Sequence, residues 1–157
     1  LVMKLQFILL GFLLTSSCIN SPLPIDESGS WQEWTLPESL PERDLYDACE
    51  RAVLRAGYPL GEINHVRGTV YSGWTVNLQP FRNQGRRYQA LFRVFYASDE
   101  VLVRCKVIAE INREMNDTLS LASAKWEFLG EDNGRSRALM QYLKSQLYLT
   151  KEASNGS

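Results

Sequence analysis

The 157-residue sequence contains a single histidine, His65, and three cysteines, Cys18, Cys49 and Cys105. One histidine excludes His-rich metal sites and the HExxH pattern, and any Ser-His-Asp or Cys-His centre would have to use it. No GxSxG, SxxK, P-loop or GxGxxG segment is present, and no CxxC pair. Neither sign of charge dominates. With 17 Lys+Arg against 18 Asp+Glu the net charge is −1, which excludes nucleic-acid binding through a large basic surface. Ten Gly and six Pro are too few for a collagen-like or wholly disordered chain. The longest apolar run covers only residues 5–14, whereas a helix spanning a bilayer needs about 20 such residues. Neither a metal nor a cofactor is expected, and 45% hydrophobic residues suffice for one folded domain.

The strongest positive signal lies at the N-terminus. Lys4 precedes the apolar run 5–14, in the manner of a secretory signal peptide, and the small residues Thr15, Ser16 and Ser17 suit a peptidase. Cys18 follows at once. The segment Leu14-Thr15-Ser16-Ser17-Cys18 resembles the lipobox of bacterial lipoproteins, with Thr15 where that family prefers Leu. The resemblance implies that residues 1–17 are a signal peptide removed before Cys18. Acyl chains such as palmitate on that cysteine would then hold the protein on a membrane without a spanning helix. Ile19 stands where the family reads Asp as a retention signal, which implies the outer membrane, with the domain facing the periplasm. The alternative is a simple secreted protein, cut near Ser17 and without a lipid anchor.

Residues 18–41 include Pro22, Pro24, Pro37 and Pro41 among Ser and Gly, a composition that predicts a flexible tether. A single domain over residues 42–150 follows, then a polar tail, 151–157, expected to be disordered. Over residues 44–56, Leu45, Ala48, Cys49, Ala52, Val53 and Ala56 recur at helical spacing. Alternation takes over in 69–78, 87–96 and 101–111, with Ser98-Asp99-Glu100 as a turn and a further short strand over 62–65. Asp132-Asn133-Gly134 offers a cap for a helix over 136–148. This α-β-β-β-α order predicts an α+β two-layer sandwich, an antiparallel meander of three to four strands with two helices on one face.

Two looser resemblances cover residues 41–149. The segment Gly73-Trp74-Thr75-Val76-Asn77-Leu78-Gln79-Pro80-Phe81, the basic Gly85-Arg86-Arg87 and the triplet Ala124-Lys125-Trp126 look like segments of small bacterial lipoproteins to which no activity attaches. In element order alone, the chain is similar to the accessory lipoproteins of envelope assembly. Order without motif implies architecture, not function.

The candidate residues fall into three groups. Cys49 and Cys105 both occupy inward positions, so they are either a disulfide joining helix to sheet or two buried free thiols. The outward positions of the strands interleave Arg87, Arg93, Phe95, Arg104 and Lys106, a mixture suited to an envelope protein or an anionic polymer. Trp31 and Trp34 either clasp the domain or contribute to partner binding. No catalytic residue is assigned. The expected role is a membrane-anchored, non-enzymatic binding or scaffolding module of the bacterial cell envelope. The competing reading is an envelope enzyme with a site around His65 and the loop 80–87.

Overall fold

The computed structural model describes residues 28–36 and 40–155. The expected signal peptide and Cys18 lie outside them. The chain is α+β, with two helices and a seven-stranded antiparallel sheet. Its centre is one long hairpin: β5 (Gln84–Tyr96) and β6 (Val101–Asn112) pair antiparallel over eleven registered positions, from Arg86↔Ile111 to Tyr96↔Val101.

Each long strand has its outer edge served by two short strands placed end to end. Along β5 these are β3 (Thr69–Ser72) and β4 (Thr75–Gln79), and along β6 they are β1 (Gln32–Leu36) and β7 (Trp126–Glu131). Strand β2 (Leu60–Asn64) pairs with β3. Where the short strands part, a serine fills the gap. Ser72 Oγ accepts the Ala90 amide at 2.8 Å and donates to the Gly73 carbonyl at 2.7 Å. Ser136 Oγ accepts the Val107 amide at 2.9 Å and donates to the Asp132 carbonyl at 2.7 Å, while the Asp132 amide donates to Val107. A buried amide without such an acceptor would carry the full cost of its desolvation.

Helix α1 (Glu42–Arg55) follows Pro41 and ends where Gly57 takes a φ of +83°, a conformation open to glycine. Its stripe of Leu45, Ala48, Cys49, Ala52 and Val53 is fully buried. Helix α2 (Asn133–Asn155) starts under an Asp132 cap, whose Oδ1 accepts the Arg135 amide at 2.9 Å. Leu139 and Leu143 of α2 join the α1 stripe in one cluster with the inward residues Val70, Ala90, Phe92, Val103, Cys105 and Val107. Both helices therefore cover the same side of the sheet.

The structure corrects the expected outline in four places. The meander of three to four strands is part of a seven-stranded sheet. The stretch 69–78 is two strands, because at Gly73 the chain turns away to donate its amide to Pro59. The tether over 18–41 contains β1, where Trp34 and Leu36 point into the core while Glu33 and Thr35 point out; a strand of five residues is too short to announce a period before its partner strand is present. Finally, α2 runs to Asn155, through most of the expected tail, because nothing in that polar sequence breaks a helix already nucleated by packing.

Replacing Ser136 by Ala removes the side-chain acceptor of the buried Val107 amide and is expected to cost about 1–3 kcal/mol in urea unfolding. Ser145→Ala, whose hydroxyl bonds only within its own helix, is expected to change stability by under about 0.5 kcal/mol.

Candidate functional site

With both helices on one side, the opposite side of the sheet carries the residues that sequence alternation placed outward. Register assembles them into rows. Arg93 on β5 lies directly opposite Arg104 on β6, which lies opposite Glu33 on β1. Two like charges in register repel. Here Phe95 offers its ring to both guanidinium groups, at 4.8 Å from Arg93 and 5.3 Å from Arg104, and Glu33 Oε1 lies 2.8 Å from Arg104 Nε.

The next row holds Leu91 and Lys106, both buried although they face outward. Lys106 Nζ lies 3.4 Å from Glu131 Oε1, donates to the Ser28 carbonyl at 3.3 Å and sits 4.4 Å from the Trp31 ring. Trp31 thus clasps the entering chain to the sheet. Trp34 points the other way and packs against the core, with Lys144 of α2 over its ring at 5.2 Å. Lys106 and Trp34 accordingly serve the fold, whereas Arg87, Arg93, Phe95 and Arg104 stay on the open face.

Towards the other end of the hairpin, Arg87 is stacked between Trp74 and Trp126, 4.1 Å and 4.8 Å from the two ring centres. Its Nη2 and Nε lie 2.6 and 2.7 Å from Glu110 Oε2, directly across the strand pair. A guanidinium held by two indoles and a carboxylate is fixed in orientation, and each stack contributes about 0.5–2 kcal/mol. Beside this sandwich, Val76, Leu78 and Phe128 are substantially exposed. Sequence reasoning missed Trp74, Trp126 and Phe128 as one site, because 52 residues part the two indoles and only the β4–β5–β6–β7 register joins them.

His65 lies elsewhere. It follows β2, with Nδ1 3.6 Å from Glu42 Oε1 and its ring 4.4 Å from that of Tyr46, at one side of an open groove of about 550 Å³ lined also by Arg43, Asp47 and Glu50. The segment 80–87 lies at the opposite end of β5, where the turn Pro80–Arg82 leads into the first residues of the strand. Gly68, near His65, accepts the Val94 amide, and Gln79, before the loop, pairs with Gln84. Seven to ten residues of strand, about 23–33 Å, separate Val94 from the segment's strand residues 84–87, so the two do not form one centre. Among the described residues no three His, Cys, Asp or Glu side chains gather as metal ligands, and no helix is long and apolar enough to cross a membrane.

Cys49 and Cys105 are both buried, and both thiols are free. Burial pushes each up, Cys105 to about 12, and the Cys105 thiol donates to the Ser136 carbonyl at 3.4 Å. Since the unfolded thiol ionises near pH 8.5, the protonated, folded state loses stability as the pH rises from there towards 12. Ellman's reagent at pH 8 is expected to find neither of these thiols in the folded protein and both after unfolding. Arg87→Met, which leaves Glu110 between strands without its cation, is expected to cost about 2 kcal/mol, and Glu110→Gln in that background to restore part of it.

No protein-family model matches the chain and no curated protein matches it, so the reading of function rests on the residues themselves.

Proposed function

We propose that the chain is a lipid-anchored envelope protein whose open sheet face binds another envelope component, without catalysis. The observation that carries the binding role is the one-sidedness of the fold. Both helices bury one side of the sheet, while the other is left to stacked Arg and aromatic side chains with Val76, Leu78 and Phe128 in water. Apolar side chains set beside oriented guanidinium groups form a surface that accepts an anionic or amphipathic partner. The anchor rests on the lipobox-like segment ending at Cys18. A finer architecture follows from this reading: a two-layer sandwich with a helical layer for stability and a sheet layer for contact.

Intact mass after membrane extraction is expected to show cleavage before Cys18 plus acyl chains, and Cys18→Ser to give an unacylated, soluble product; an unacylated natural protein refutes the anchor. A photo-crosslinking residue in place of Phe128 is expected to give a discrete adduct in the native envelope that Arg93→Glu with Arg104→Glu abolishes. Unchanged adduct in the charge-reversed protein refutes the face.

A further inference from the structure

The end of the sheet beyond the Arg87 sandwich has a distinct character. Phe81, in the turn between β4 and β5, is fully exposed, and Met115, in the loop 113–125, is 92% exposed. These are not scattered residues, because the two segments are tied together: Thr118 Oγ1 lies 2.7 Å from the Asn83 carbonyl oxygen and 2.8 Å from Asn83 Oδ1. Asn112 Nδ2 reaches the carbonyls of Thr118 and Ser120, and the Arg113 amide donates to Lys125, so the loop is held at both ends. Leu78, at the end of β4, and Leu121, within the loop, are exposed as well.

The charges around the tip are asymmetric. Arg113 and Lys125 are neutralised by Glu127 at 3.1 Å and Glu114 at 2.8 Å. Arg82 and Arg86 have no carboxylate at ion-pair distance among the described residues, where Arg86 bonds the neutral Gln84, and the loop's own Asp117 is turned to the Leu119 and Ser120 amides, which leaves two guanidinium groups against one carboxylate. An apolar tip with two guanidinium groups outside any ion pair at its base, and a net positive balance, has the chemistry of a shallow bilayer contact, with side chains among the acyl chains and cations at the phosphates.

We infer that this tip is a second membrane contact, in which Phe81 and Met115 enter the interface of an anionic bilayer and Arg82 and Arg86 meet its phosphates. The inference takes from the proposed anchor only the nearness of a membrane. Chain length permits the geometry. Ser28 is held at Lys106, six strand residues or about 20 Å from Asn112 at the base of the tip, while the ten residues from Cys18 to Ser28 reach at most about 35 Å. A chain anchored at Cys18 can therefore lay its tip on the same membrane, which would orient the open face beside the bilayer rather than letting it tumble.

The test uses the full-length protein purified from membranes and reconstituted in phosphatidylglycerol–phosphatidylcholine vesicles or in phosphatidylcholine alone. Phe81→Cys, Met115→Cys and, as a control on α1, Leu54→Cys are each labelled with bimane; Cys49 and Cys105 are buried and escape the label. Acyl-brominated lipid is expected to quench the labels at 81 and 115 several-fold more than that at 54. Quenching should weaken without phosphatidylglycerol, in high salt, and when Arg82→Glu and Arg86→Glu are added. Equal quenching at 54 and 81 in protein recovered with the vesicles overturns the tip and leaves the anchor intact. A label shielded from aqueous iodide yet untouched by brominated lipid overturns it in favour of a protein contact. Strong quenching at 81 in protein whose mass is unacylated, retained when Cys18→Ser removes the one other thiol open to the label, supports the tip and overturns the anchor, and protein that stays off the vesicles altogether overturns both.

Discussion

The whole molecule depends on the continuity of one strand pair. The β5–β6 hairpin supplies eleven residues of uninterrupted register, and the rest is built on it: two short strands along each outer edge, β2 beyond β3, and two helices on one side. Such an edge needs acceptors where its neighbours part, since buried amides cannot go unpaired. Ser72 and Ser136 meet that need on opposite edges in the same way, each accepting a strand amide and donating to a nearby carbonyl. Because Ser136 also belongs to the first turn of α2, the seal along β6 sets the point where the helix leaves the sheet. Sheet closure and helix docking thereby share one side chain.

Continuity of the hairpin also fixes which side of the sheet each residue sees. Period-two alternation sends Val94, Phe92, Ala90, Val103, Cys105 and Val107 to the helices and Arg93, Leu91, Arg104 and Lys106 to the other side. Helix α1 carries Ala48, Cys49 and Ala52 on its buried stripe, side chains small enough to let it lie close to the core, and both thiols are buried in this layer. On the outward side the polar groups are not left to water alone. Each guanidinium of Arg87, Arg93 and Arg104 has at least one aromatic neighbour, so their orientation is set before any ligand arrives, which lowers the ordering cost of binding.

The sequence made the central part of this legible because its signals there are periodic. Helix α1, the strands β5 and β6 and the Asp132 cap each rest on a pattern long enough to stand without a partner. The missed elements are those whose structure is decided by pairing. In β1, Trp34 and Leu36 acquire an inward side only when β6 lies beside them, and β7 gains its register across a shift at Glu110 that no local pattern announces. The candidate face was legible as a row of Arg and Phe along two strands. The indole sandwich was not, because Trp74 precedes one edge strand and Trp126 begins another. Lys106 read as an open cation yet is nearly buried, since the incoming chain at Ser28 and Trp31 folds back over it.

The claim that one side of the sheet is for stability and the other for contact is most directly tested by hydroxyl-radical footprinting of the protein in its native membranes and after purification. Trp74, Trp126 and Phe128 are expected to be modified in the purified protein and protected in the envelope, while the inward-facing Phe92 and Met140 stay protected in both. Equal modification of the open face in both settings, or envelope protection confined to the exposed surfaces of the helices, would contradict it.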